Sequence, residues 1–165
     1  MKKIITFLTV LIFNFCFCQS EQEIKSSLKK ISKEYLSEMY INKKYDSASK
    51  FWDNGMLVEM QNYYIKSGQG NFSDVTLNEK IKTDVENYFN KLNKFKVDKI
   101  LDTQIENVND KVIGYVFFEY TETLINNSEK IKTMLTLISS DNEKTWQIQD
   151  WKIKDIVDKV NRKLY

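Results

Sequence analysis

The spacing of apolar residues changes near residue 92, and this change restricts the folds available to the chain most strongly. Upstream, apolar side chains recur every three or four positions, as on one face of a helix. These stripes are Ile24, Leu28, Ile31, Tyr35 and Met39, then Leu77, Ile81, Val85, Tyr88 and Leu92. Downstream the period shortens to two, and β-branched and aromatic residues dominate, as in strands. Helices followed by a run of strands predict an α+β domain.

The individual elements follow from these periods and from local stop signals. We predict helices over 22–41, from Asp46 to Trp52 with a break at Asn54–Gly55, and from the capping box Thr76–Glu79. The stretch Met56–Ile65 fits helix or strand, and residues 66–74 fit a loop. Four strands are predicted near 95–107, 111–124, 130–139 and 145–153, with turns at Asn109–Asp110, Asn126–Asn127 and Asp141–Asn142. A short C-terminal helix carries Ile156, Val160 and Leu164.

The N-terminus has the pattern of a secretory signal peptide. Lys2 and Lys3 precede an apolar run from Ile4 to Phe17, too short for a membrane span. Cleavage after Cys18 would leave residues 19–165 as one exported domain, periplasmic or extracellular, with no membrane span. The alternatives are an uncleaved anchor and lipidation at Cys16 or Cys18, and a bulky phenylalanine precedes each cysteine.

The composition excludes several classes of function. The chain has no histidine, and its two cysteines lie in the leader, which excludes His- or Cys-based catalysis and zinc sites built from these residues. A carboxylate-only calcium or magnesium site stays open, but no Asp-x-Asp-x-Asp-Gly loop is present, so we expect no metal and no cofactor. Without Lys2 and Lys3, its 25 basic residues fall to 23, equal to its 23 acidic residues. Arg162 is the sole arginine, and the lysines are dispersed among acids, which argues against nucleic-acid binding.

Strand alternation sorts the predicted sheet into two faces. If the turns centre on Asn127 and Asn142, Phe118 lies opposite Thr136 and Ile138 lies opposite Trp146. The face expected to pack on helices then holds Val116, Phe118, Tyr120, Met134, Ile138, Trp146, Ile148 and Asp150. The outer face is too apolar for open water, and we expect it to form a homodimer through Tyr115, Phe117, Leu135, Leu137 and Trp151. A slip of one residue would exchange the faces.

The opening helix, the segment Tyr45–Asp53 and the late strand Trp146–Trp151 resemble an NTF2-like (SnoaL-like, cystatin-like) domain. The resemblance implies a curved antiparallel sheet that wraps around N-terminal helices to form a cone with an internal pocket. It also implies that pocket aspartates and tyrosines perform acid–base chemistry in the enzymes of that family.

Three functions stay open at this point. The first is a non-catalytic binding or accessory domain for a small apolar ligand or a protein partner. Its expected ligand-binding residues are Tyr45, Trp52, Tyr88, Phe118, Tyr120, Trp146 and Asp150. The second is a lyase, isomerase or hydrolase acting through Asp150 and Tyr120, and the third is a module that neutralises a secreted toxin. We favour the first, with Asp150 exposed or hydrogen-bonded in a structural role.

Overall fold

A computed structural model describes residues 21–125, 127–139 and 145–161, with side chains described as far as residue 157. The predicted signal peptide and the predicted turn at Asp141–Asn142 lie outside these residues. The described chain is an α+β domain, as its sequence predicts. Helices come first, a four-stranded antiparallel sheet follows, and a short helix comes last.

Among the described residues, four helices precede the sheet. Helix α1 spans 21–36 and continues into a π-helical turn at Ser37–Ile41, so the predicted helix over 22–41 is confirmed. The others are α2 (Tyr45–Ala48, followed by a 3₁₀ turn at Ser49–Phe51), α3 (Asn54–Lys66) and α4 (Asp74–Phe89). The ambiguous stretch Met56–Ile65 is therefore helical, and the predicted loop shortens to 67–73.

Three helix boundaries differ from the predicted ones. The helix predicted from Asp46 does end before Asn54, but Asn54–Gly55 begins α3, because the Asp53 carboxylate accepts a hydrogen bond from the Met56 amide at 2.8 Å and caps the new helix. Ser73 caps α4 through the Thr76 amide, so this helix starts two residues before Thr76. Helix α2 starts at Tyr45, one residue before the predicted cap at Asp46.

The four strands form one sheet in the order β1-β2-β3-β4. They are β1 (Leu92–Val108), β2 (Lys111–Leu124), β3 (Asn127–Ser139) and β4 (Gln147–Asp150), and α5 (Trp151–Asn161) follows directly. The fourth strand is thus shorter than predicted, because Trp151–Ile153 is helical. Register shifts between Val97 and Lys99 and between Ile100 and Asp102 interrupt β1, and such bulges bend a strand.

The observed register corrects the predicted faces of β3. Phe118 pairs with Thr133 instead of Thr136, and Ile138 pairs with Gln147 instead of Trp146. Both shifts are by an odd number of residues, so the side chains of β3 exchange faces relative to β2 and β4. Leu135 and Leu137 consequently lie in the core with no exposed surface, whereas Met134 and Ile138 are only half-buried.

This correction changes the predicted dimer surface. Leu135 and Leu137 are fully buried within one protomer and cannot contact a second copy. Tyr115, Phe117 and Trp151 stay half-buried, so the outer face keeps only part of its predicted apolar character.

Helix α1 packs closely on the sheet at Gly114 of β2. A Cβ atom at this position would lie 2.6 Å from Cδ1 of Leu28 and 2.7 Å from its Cδ2, inside van der Waals contact. Glycine therefore lets the fully buried Leu28 approach the strand backbone. The position of α1 matters for function, since its other side borders a groove described below.

Candidate functional site

All seven predicted ligand-binding residues are buried. Tyr45 and Trp52 meet edge to face, with ring centroids 5.4 Å apart, and the Tyr45 hydroxyl is directed to Asn78 of α4. Phe118 packs beside Tyr120 at 5.8 Å, and Trp146 lies in the same apolar core. A buried polar cluster connects four of the predicted residues, Trp52, Tyr88, Tyr120 and Asp150.

Asp150 is the acceptor at one end of this cluster, and only 3% of its surface is exposed. Its Oδ2 accepts hydrogen bonds from the hydroxyls of Tyr40 at 2.5 Å and Tyr35 at 3.1 Å. Its Oδ1 accepts the backbone N–H of Lys152 at 3.0 Å, which caps the first turn of α5. The Tyr35 hydroxyl in turn accepts a hydrogen bond from the Trp52 indole at 2.9 Å. Of the two arrangements predicted for Asp150, exposure is wrong and hydrogen bonding is confirmed.

Burial raises the pKa of Asp150, against the opposing effects of its Tyr40 hydrogen bond, the Lys152 backbone N–H, the Lys152 charge and Tyr35. Burial, followed by the neighbouring Asp150 charge, also raises the pKa of Tyr35 and Tyr40 well above the ordinary tyrosine value. Both hydroxyls therefore keep their protons at neutral pH and serve as hydrogen-bond donors to the carboxyl group.

A buried ion pair forms the other end of the cluster. The Lys152 ammonium lies 2.5 Å from Oε2 of Glu122, with 8% and 4% of the two side chains exposed. Tyr88 donates to the same Glu122 oxygen at 2.7 Å, and the Lys152 ammonium also donates to the Tyr120 hydroxyl at 3.0 Å. The ammonium lies 4.9 Å from the centroid of the Tyr120 ring and 5.0 Å from that of Tyr88, within cation–π range.

The polar groups of the cluster satisfy one another's hydrogen-bonding capacity inside the core. A general acid or base must reach a substrate atom within hydrogen-bond distance. Here the oxygens of Asp150 are occupied by Tyr35, Tyr40 and the backbone of Lys152, and all of these groups are buried. Such an arrangement lets the core accommodate charged groups, because each charged group of this cluster has a partner.

Sequence reasoning missed four members of the cluster, namely Tyr35 as a donor, Tyr40, Glu122 and Lys152. Glu122 was within reach, because it continues the inward alternation of Val116, Phe118 and Tyr120 on β2. Lys152 was also predictable, because alternation in the predicted strand 145–153 puts it on the same face as Ile148 and Asp150. The Tyr40–Asp150 contact was not, because it joins residues 110 positions apart.

A groove of about 570 Å³ lies between the second half of α1 and the first half of β1. We call it the α1–β1 groove. Its apolar lining is Ile41, Phe95, Val97 and Ile100, and it includes none of the seven predicted residues. Phe95 separates the groove from the buried cluster, stacked at 4.7 Å on Tyr40 and at 4.8 Å on Tyr120.

The charged lining of the groove is mainly basic. The groove is lined by Lys29 and Lys33, one helical turn apart on α1, and by Lys96 and Lys99 on β1. Among the described residues, Asp98 is the one acidic residue of the lining. Asp98 accepts a hydrogen bond from Thr121 at 2.6 Å and pairs with Lys96 at 3.0 Å, which together lower its pKa. The sequence signal was the spacing of Lys25, Lys29 and Lys33, which is equally typical of a solvated helix face.

The groove forms where both of its walls are irregular. The register shifts of β1 fall at Val97–Lys99 and Ile100–Asp102, and α1 passes into its π-helical turn at Ser37–Ile41. Irregularities of both kinds are over-represented next to functional sites. Volumes of about 300–1,000 Å³ are usual for small-molecule sites. The volume of the groove therefore falls within the range of small-molecule sites.

Two searches of the described residues gave negative results. Within 21–125, 127–139 and 145–161, no cluster of three or more Asp, Glu, His or Cys residues could hold a metal ion. In the same residues, no helix has the length and apolar character needed to cross a membrane. The chain matches no known family model, curated protein or solved structure with which it was compared.

Proposed function

We propose that the chain is a non-catalytic binding domain that holds a small apolar ligand in the α1–β1 groove. The proposal rests on the contrast between the groove, which is open to solvent, and the interior, whose polar groups are buried and bonded to one another. Ile41, 51% exposed, offers apolar surface to the groove, whereas Asp150 and Tyr120 are buried and bonded to other core groups. The groove thus replaces the interior residues as the proposed ligand site.

Catalysis by Asp150 and Tyr120 is the weaker candidate on the same geometry. The Tyr120 hydroxyl accepts a hydrogen bond from buried Lys152, and burial raises its pKa far above neutrality. A substrate would have to displace the hydrogen bonds of Tyr35 and Tyr40 before it reached the Asp150 carboxyl. Each displaced bond to a charged group costs about 1.5–3 kcal/mol, so substrate entry opposes the stability of the core.

Nile red, an uncharged dye that fluoresces in apolar surroundings, provides a test of ligand binding. We expect saturable binding to the wild-type chain and a loss of affinity of about tenfold or more in Ile41→Asp, which places a charge on the groove wall. Val58→Asp is the matched control, because Val58 is 59% exposed on α3 and does not line the groove. Absence of saturable binding, or equal affinities in Ile41→Asp and Val58→Asp, would refute the proposal.

We also propose that the domain is exported and NTF2-like. The order of helices before a four-stranded antiparallel sheet supports the second part, and the pattern of residues 1–18 supports the first. We also propose a homodimer through Tyr115, Phe117 and Trp151. Its apolar surface is smaller than the one predicted from the sequence. Sedimentation at increasing concentration tests it, and a constant monomer mass at high micromolar concentration would refute it.

A further inference from the structure

We infer that the ligand of the α1–β1 groove is a free single-chain amphiphile with an anionic headgroup, such as an unbranched alkyl carboxylate. This inference rests on the proposed function and adds the chemical class of the ligand. It follows from the charges that surround the groove and from its shape.

The basic residues of the groove exceed the acidic ones that neutralise them. Four lysines line it, whereas Asp98 is the one acidic lining residue and is already bonded to Lys96 and Thr121. Lys99 approaches Glu119 only at 3.9 Å, and that carboxylate lies closer to Lys130, at 2.9 Å. Lys33 has no ion pair within the part of the chain that the structure describes.

A bound anion would offset the mutual repulsion of these lysines. Lysines of both α1 and β1 line the groove, so one headgroup between the two elements could be attracted by lysines of both. Lys29 also interacts electrostatically with Asp102, which leaves Lys33 and Lys99 as the strongest candidates for the headgroup contact. Complementary charge at the rim of an apolar site selects among ligands of equal apolar size.

The apolar wall determines the other half of the ligand. Ile41, Val97 and Ile100 are incompletely buried and border the same groove as the lysines. An alkyl chain placed against them would bury its methylenes and theirs, each a favourable transfer from water. A concave groove of about 570 Å³ suits one small molecule, whereas a membrane surface would need the apolar residues to protrude. The geometry therefore favours a free amphiphile over a bilayer.

Displacement of Nile red by ligands of one chain length tests the inference. At neutral pH, we expect decanoate to displace the dye at a concentration at least about tenfold lower than decanol or decyltrimethylammonium does. The preference should decrease as NaCl is raised, because salt shortens the range of the lysine charges. Lys33→Gln/Lys99→Gln should remove the preference, measured as the ratio of the decanol and decanoate concentrations that displace half of the dye from the same variant. Lys30→Gln/Lys66→Gln, exposed and outside the groove, is the control with the same change in charge.

The outcomes separate the two proposals. Nile red binding that depends on Ile41, without a preference for decanoate, would refute the anionic ligand and leave the proposed function intact. Absence of dye binding would refute both. Binding to phosphatidylglycerol vesicles in a flotation assay, with no displacement by free decanoate, would also overturn the inference, since the source of the anion would then be a membrane.

Discussion

Replacement of Lys152 by methionine tests whether the polar cluster is a closed part of the core. Methionine retains much of the apolar stem but removes the ammonium, leaving the Glu122 carboxylate buried with Tyr88 as a hydrogen-bond donor. Loss of one partner of a buried ion pair costs about 3–5 kcal/mol, and the cation–π contacts with Tyr88 and Tyr120 are lost as well. We therefore expect Lys152→Met to lower the free energy of unfolding by about 3–5 kcal/mol.

The control lies two residues further along the same helix. Lys154 pairs with Glu59 at 2.9 Å, with 46% of each side chain exposed, so Lys154→Met should cost about 1 kcal/mol or less. The double variant Glu122→Gln/Lys152→Met should lose less than the sum of its single variants, by about 0.5–3 kcal/mol. Urea unfolding followed by circular dichroism measures all of these values. Equal costs for Lys152→Met and Lys154→Met would show that the interior is hydrated, which would refute the closed core and favour an internal pocket.

Two further predictions concern Asp150 and the packing of α1 on the sheet. Because the pKa of Asp150 is raised in the folded state, its contribution to stability is fully present below its ordinary value of 3.8 and is lost as pH rises through the raised value. The stability advantage of the wild type over Asp150→Asn should therefore shrink as pH rises across that window, and an advantage that grows with pH would show that the pKa is lowered instead. Gly114→Ala should cost about 1–3 kcal/mol through overlap with Leu28; combined with Leu28→Ala it should cost less than the two changes separately, and strictly additive costs would contradict the contact.

The sequence predicted the class of the fold because the period of its apolar residues records which face each element buries. It predicted β2 correctly over 111–124, where the turn at Asn109–Asp110 joins strands whose ends pair directly, Val108 with Lys111. The next hairpin was misplaced because its turn begins at Ile125, which has a positive φ of 50°, a conformation that a β-branched residue rarely adopts. The shift that results moved Leu135 and Leu137 to the wrong face.

The candidate site was harder to predict from the sequence than the fold, because it depends on how separate elements pack together. Alternation on β2 and β4 placed Tyr120 and Asp150 inside correctly, because each strand fixes the directions of its own side chains. The tyrosine donors to Asp150 come from α1 and the π-helical turn that follows it, and their distance depends on how that helix packs on the sheet at Gly114. The α1–β1 groove depends on bulges in β1. The segment Val97–Asp102 contains no glycine or proline, so its sequence does not indicate these bulges.

Amide chemical shifts recorded while decanol is added to the isotope-labelled chain test the central claim most directly. Decanol is uncharged, so the result does not depend on whether the natural ligand is an anion. We predict saturable shifts within residues 29–41 and 95–100, which border the α1–β1 groove, with Ile41→Asp suppressing them and Val58→Asp leaving them unchanged. Saturable shifts centred on Tyr88, Tyr120 and Asp150, with residues 95–100 unaffected, would contradict the account and place the ligand site in the interior.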